Sequence, residues 1–139
     1  MDNFTTFLWM DSHPDSHLLD DAPKRRPKAD GWDILAELVG DGNVTQHYSS
    51  RLPHKSIFSG KTDEQWAQAL KEEVWRFRAD YLILEGCRIN VILKILEDPK
   101  FKDRVLLVKR NKIGQVTGFQ VALARLATKP FRPKKSSHV

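Results

Sequence analysis

Residues 62–82 read TDEQWAQALKEEVWRFRADYL and form the most regular pattern in the chain. Thr62 and Gln65 match a capping box, in which each side chain accepts a hydrogen bond from the other residue's backbone N–H. Large apolar side chains then recur every three or four residues, which is the spacing of one face of an α-helix. They are Trp66, Leu70, Val74, Phe77 and Tyr81. The pattern predicts a helix over residues 62–82 whose apolar face forms the centre of the core.

A shorter helix is predicted before it, from Asp30 to Gly40. Asp30 can cap its first turn, and Gly40 can end it. Residues 44–61 are polar and interrupted by Pro53 and Gly60, so they predict a loop with one short strand around residues 56–58.

The pattern changes after Gly86. Apolar and polar residues alternate over residues 88–96, which predicts a strand, with a helix as the alternative. Residues 104–110 predict a second strand and residues 115–126 a third. The four residues between these last two suit a hairpin turn, because Gly114 can adopt a positive φ.

These elements predict an α+β fold: one long amphipathic helix packed on a small antiparallel sheet of about three strands, with a short extra helix. The predicted domain covers residues 31–127, between flexible tails at 1–30 and 128–139. The first tail contains an apolar segment, residues 4–10. We expect it to pack back on the domain as an edge strand or a single turn, and the alternative is that it docks on a partner.

Length and composition exclude several classes of protein. The chain has 139 residues, of which 40% are hydrophobic and 29% charged, so we expect one folded domain rather than a disordered chain. A lone cysteine, Cys87, excludes an internal disulfide and a cysteine-rich zinc module. No apolar run approaches the ~20 residues that span a bilayer, and the N-terminus does not have the pattern of a secretory signal. We therefore expect an intracellular protein of the cytoplasm, the nucleus or both, with no membrane partner.

The charges are distributed unevenly. Residues 1–23 carry five aspartates and no basic residue, whereas residues 104–139 carry nine basic residues and no acidic one. A stretch with one sign of charge needs solvent, an acidic neighbour or an anionic partner. The simplest explanation is a solvated sheet face and tail. The hypothesis we carry forward is a surface that binds the phosphates of RNA or DNA. Its predicted residues are Lys109, Arg110, Lys112, Arg125, Lys129, Arg132, Lys134 and Lys135.

We find no pattern that indicates catalysis, a metal site or a cofactor. Gly60-Lys61-Thr62 lacks the earlier glycine of a phosphate-binding loop, because that position is Lys55. The sequence therefore favours a small, non-enzymatic regulatory protein that binds nucleic acid.

The alternative function is a protein-interaction adaptor, of the kind that viruses and mobile elements direct at host proteins through short terminal motifs. A basic run resembles the segments that nuclear import receptors bind. The chain ends in a Ser-x-Val motif that suits a PDZ-type domain. The residues of the two motifs are Lys24, Arg25, Arg26 and Lys28 in the first and Ser137 and Val139 in the second.

Overall fold

The computed structural model describes residues 5–11, 29–40, 44–49, 61–125 and 127–132. These residues form six β-strands, three α-helices and one 3-10 helix. The strands are β1 Thr5–Asp11, β2 Val44–Ser49, β3 Tyr81–Glu85, β4 Val105–Arg110, β5 Val116–Ala122 and β6 Thr128–Pro130. The helices are α1 Ala29–Val39, α2 Asp63–Phe77 and α3 Ile89–Leu96, and the 3-10 helix is Pro99–Phe101.

The strands form one mixed sheet in the order β2-β1-β3-β4-β5-β6. The first four strands of this order are parallel, and β5 and β6 each run antiparallel to the strand before them. The predicted fold, one long helix on a three-stranded antiparallel sheet, is therefore wrong. Parallel neighbours need crossover connections, which here are helices that cover both faces of the sheet. Strands covered on both faces lack the alternation of apolar and polar residues from which the sheet was predicted.

Strand β1 lies in the interior of the sheet, between β2 and β3. Its apolar segment, Phe7–Met10, is fully buried. Leu8 and Met10 pack in the core beneath α2 and α3, whereas Phe7 and Trp9 pack in the core beneath α1. This strand lies within the predicted N-terminal tail. A strand buried on both faces is apolar at every position, so it lacks the alternation that identifies a strand with one face in water.

Helix α2 begins as predicted. Thr62 N–H donates to Gln65 Oε1 at 2.9 Å, and Gln65 N–H donates to Thr62 Oγ1 at 3.1 Å, so the capping box is formed. The predicted end at residue 82 is wrong, because the helix stops at Phe77 and Arg78 has the left-handed backbone conformation, with φ of 53°. Tyr81, predicted as the last turn of the helix, instead begins β3.

Residues 88–96 are mostly helix, not strand, so here the alternative was correct. Val91, Ile92 and Ile95 are the buried positions of α3, which is helical spacing, and Ile89 is 55% exposed. The apparent alternation misled because six of the nine residues in this segment are apolar, so they fit the spacing of a strand as well as that of a helix. The predicted hairpin is confirmed: β4 and β5 pair antiparallel, and Gly114 in their turn has φ of 87°.

The ends of the strands define two opposite edges of the sheet. At the carboxyl edge, β1, β3 and β4 end and the β4–β5 hairpin turns. At the amino edge, those strands begin, and α2, the 3-10 helix and the β5–β6 turn meet them. A side chain at one edge is therefore separated from the other edge by the length of the strands.

Candidate nucleic-acid interface

The predicted phosphate-binding residues that the structure describes lie at opposite edges of the sheet. Lys109 and Arg110 end β4, and Lys112 lies in the following turn, so these three belong to the carboxyl edge. Arg125 lies in the β5–β6 turn at the amino edge. Lys129 and Arg132 lie in and just after the edge strand β6. Lys134, Lys135, the 24–28 run and the C-terminal motif lie outside the described residues.

At the carboxyl edge, Arg110 is already bound to a carboxylate. Its Nε and Nη2 atoms lie 2.7 and 2.6 Å from Glu85 Oε2. The other oxygen of Glu85 accepts a hydrogen bond from Trp9 Nε1 at 3.0 Å, and Arg110 Nη1 donates to the carbonyl of Gly114. This network joins β1, β3 and β4 to the hairpin. Glu85 therefore neutralises the charge of Arg110, which leaves Lys109 and Lys112 as the exposed cations of this predicted group.

The carboxyl ends of β1 and β3 also mark the point where the chain turns toward opposite sides of the sheet, since β1 leads to β2 and β3 leads to β4. Ligands of open α/β sheets commonly bind in this crevice. Here the Trp9–Glu85–Arg110 network lies across it. Within the described ranges, no group of three or more His, Cys, Asp or Glu residues is placed to bind a metal ion. Burial raises the pKa of the Cys87 thiol to about 12, so this thiol is not activated as a nucleophile.

The amino edge contains a cavity of about 490 Å³. It lies between the end of α2, the 3-10 helix and the first residues of β3 and β4. Its lining combines apolar side chains with three basic side chains and one acidic side chain, that of Asp80. The lining residues are Val74, Trp75, Ala79, Asp80, Leu82, Pro99, Lys100, Phe101, Lys102 and Arg104.

The 3-10 helix fixes one wall of this cavity. Asp98 caps it by accepting the backbone N–H of Lys100 at 3.0 Å, and Lys71 Nζ lies 3.3 Å from the other carboxylate oxygen. These contacts lower the pKa of Asp98, the Lys100 N–H most strongly. Phe101 is buried beneath the turn. The backbone that carries Lys100 and Lys102 is therefore anchored at both ends.

The opposite wall is equally well defined. Arg104 Nη1 donates to the carbonyl of Asp80 at 3.0 Å. The Asp80 carboxylate accepts the backbone N–H of Thr6 at 2.8 Å, which ties this wall to β1. The Asp80 carboxylate in the cavity wall is therefore engaged by the backbone of β1.

Three cations of the cavity are exposed: Lys100, Lys102 and Arg104. Within the described part of the chain, none of them forms an ion pair, whereas the neighbouring Asp103 pairs with Lys129 at 3.3 Å. That contact shows that β6 reaches this edge. We call Lys100, Lys102, Arg104, Arg125 and Lys129 the amino-edge basic surface.

Sequence reasoning missed Lys100 and Lys102. They stand among Asp98 and Asp103, so the local charge balances and the stretch without acidic residues begins only at Arg104. The structure binds Asp98 to Lys71 and to a backbone N–H, and Asp103 to Lys129, which leaves the two lysines facing solvent. The adjacent residues Asp98-Pro99, which are typical of a capped turn, were the available signal that Asp98 is engaged by the backbone.

Trp75 was missed for a different reason. It falls outside the apolar stripe of α2, and it is 48% exposed at the cavity. Its ring centroid lies 6.5 Å from that of Phe101, with 50° between the ring planes. A large aromatic surface therefore stands beside the cations, on the same edge of the sheet.

The chain was compared with models of protein families, with curated proteins and with solved structures, and no match was found. In the helices that the structure describes, none is long and apolar enough to cross a membrane. The adaptor hypothesis loses its N-terminal docking segment, because Phe7–Met10 is buried inside the sheet.

Proposed function

We propose that the protein binds nucleic acid through the amino-edge basic surface. The observation that carries the proposal is the cavity rim, where Lys100, Lys102 and Arg104 are exposed and without an ion pair among the described residues. Like charges kept close together repel one another, and an anionic ligand relieves that repulsion.

The shape of the surface favours a chain of phosphates over a single anion. Arg125 and Lys129 extend the positive charge from the cavity toward the β5–β6 turn. Five basic side chains spread along one edge suit a repeating anion, because each phosphate can meet a different cation. Lys129 takes part while paired with Asp103, so we assign the larger share to the other four.

The test compares two matched double variants in binding to a labelled oligonucleotide over a series of salt concentrations. Lys100→Glu with Lys102→Glu reverses two charges at the amino edge. Lys109→Glu with Lys112→Glu makes the same change in charge at the carboxyl edge. We expect the first variant to bind at least tenfold more weakly, with a salt slope shallower by about 1.4, or 0.7 for each phosphate of a single strand that is no longer neutralised. The second should be weakened less, through the long-range field alone.

Two results would overturn the proposal. One is the absence of binding by the wild-type chain at low salt. The other is a loss of affinity in the carboxyl-edge variant that equals or exceeds the loss in the amino-edge variant. Circular dichroism of both variants checks that the charge reversals leave the fold intact.

A further inference from the structure

We infer that the amino-edge site prefers single-stranded nucleic acid, and that Trp75 stacks on one of its bases while the neighbouring cations bind the phosphates. The inference rests on the proposed function and adds the form of the ligand. Its structural basis is the juxtaposition of an exposed indole, a cavity and three cations at the end of α2.

Trp75 is one of three large apolar side chains that lie exposed among the described residues, with Ile89 and Ile113. A tryptophan contributes a large apolar area, and leaving nearly half of it in water gives up stabilisation that burial would supply. The buried Trp9 shows the contrast, since it packs against Trp32 and Phe119 at centroid distances of 5.0 and 5.5 Å. Trp75 has one aromatic neighbour, the buried Phe101, within the described residues. The indole of Trp75 therefore packs near Phe101 on its buried side, and its other side is accessible to a ligand.

The cavity matches the chemistry of a nucleotide. A volume of about 490 Å³ falls within the usual range of small-ligand sites, 300–1,000 Å³. The exposed apolar surfaces of its lining, those of Trp75 and Pro99, suit the face of a base. Its basic rim suits the phosphates on either side of that base.

A single strand is favoured over a duplex for a geometric reason. Bases of a duplex are stacked on one another, so an aromatic side chain can reach their faces only at an end or after they are unstacked. Unpaired bases can turn outward onto an aromatic ring, and such stacking tolerates any sequence because every base has a π-face. The site should therefore show little preference among bases.

The experiment separates base stacking from phosphate binding with two single-stranded probes of equal length. One is oligo(dT), and the other is an abasic oligonucleotide that keeps the phosphates and lacks the bases. We expect Trp75→Ala to weaken oligo(dT) binding by about 5- to 150-fold, the effect of losing one base stack, and to leave binding of the abasic strand unchanged. Trp75→Phe, which keeps an aromatic ring, should recover part of the loss.

Duplex DNA and intrinsic fluorescence provide further readouts. The wild-type chain should bind a duplex of the same sequence more weakly than the single strand at equal salt. Oligo(dT) should quench tryptophan emission in the wild type, and this quenching should be lost in Trp75→Phe.

Failure of the inference is distinguishable from failure of the proposed function. If oligo(dT) binds with steep salt dependence and Trp75→Ala has no effect, or if it weakens both probes equally, the stacking role is overturned and the basic surface stands. Equal or tighter binding of the duplex overturns the single-strand preference. If the wild type binds neither probe at low salt, both proposals fall.

Discussion

Arg110 and Glu85 form an ion pair between neighbouring parallel strands, with Nη2 and Oε2 2.6 Å apart. Both side chains are largely shielded, at 29% and 18% exposure. The pair lies at the carboxyl edge, where sequence alone assigned Arg110 to phosphate binding. Its position instead links the ends of β3 and β4 with β1, through the bond from Trp9 to Glu85.

Glu85→Gln should therefore destabilise the fold. Glutamine can still accept from Trp9, but it leaves the guanidinium of Arg110 without a compensating charge in a shielded position. We expect a loss of about 1–3 kcal/mol in the free energy of unfolding, measured by urea denaturation. Lys112→Gln, at an exposed position of the same hairpin, should change stability by less than about 0.5 kcal/mol. An unchanged unfolding midpoint for Glu85→Gln would contradict this role.

Replacing Gly31 with alanine should destabilise the fold for a steric reason, although helix propensity alone predicts the opposite effect. Alanine is normally favoured over glycine inside a helix by about 1 kcal/mol. A Cβ at Gly31, however, would lie 2.5 Å from Cη2 of Trp9, a ring that is fully buried and cannot move aside freely. Gly31→Ala should cost about 1–3 kcal/mol. The control is Gly118→Ala, where a Cβ meets no atom within 4 Å. Thermal unfolding that shows Gly31→Ala to be as stable as the control would disprove the contact.

Cys87 should react slowly with thiol reagents while the protein is folded. Burial is the main cause that raises its pKa to about 12; Asp63 raises it further, and Arg88 partly opposes the shift. At pH 8 the thiolate fraction is then about 10³-fold below that of an unfolded cysteine. The reaction of the chain's one cysteine with an aromatic disulfide reports this directly, in buffer and in denaturant. Equal rates in the two conditions would contradict it.

The Cys87 thiol also makes the free energy of unfolding depend on pH in the alkaline range. The raised pKa means that the folded state retains its proton where the unfolded state releases it. The contribution of Cys87 is therefore complete below the ordinary thiol pKa of about 8.5 and declines as the pH rises toward about 12. Cys87→Ala should remove this dependence from the urea midpoints, and an unchanged alkaline slope in that variant would argue against it.

Asp98 makes the stability of the fold depend on pH in the acidic range. Its pKa is lowered, chiefly by the N–H of Lys100 and further by Lys71, so its contribution to stability is present above the ordinary aspartate pKa of about 3.9. That contribution disappears as the pH falls through the lower pKa of the folded state. The stability difference between wild type and Asp98→Asn should shrink as the pH falls from 6 toward 2. A difference that is constant over this range would show that the ionisation of Asp98 does not contribute to stability.

The elements that sequence predicted correctly are those determined by neighbours in the chain. The capping box at Thr62, the turn at Gly114 and the helix ending near Gly40 depend on contacts a few residues apart. Strand β1 and helix α3 depend on distant partners. The apolar run at Phe7 becomes a strand because β2 and β3 flank it. In α3 the helical conformation buries Val91, Ile92 and Ile95 in the core that includes Leu82 and Leu84 of β3.

The candidate site follows the same division. The sequence identified Arg125 and Lys129 as cations but could not show that a strand brings them to the start of β4. Neither could it show that Asp103 is engaged by Lys129, or that Trp75 lies beside Lys100. Charge counts along the chain measure neighbours in sequence, whereas a binding surface is made of neighbours in space.

The interior position of β1 also bears on how the chain is made. Thr6 bonds to Asp80, which follows it by 74 residues. At a synthesis rate of 5–20 residues per second, the partner strand leaves the ribosome about 4–15 s after β1. Until β2 and then β3 have been synthesised, the apolar segment Phe7–Met10 lacks its two partner strands, so we expect it to be a chaperone-binding segment of the nascent polypeptide.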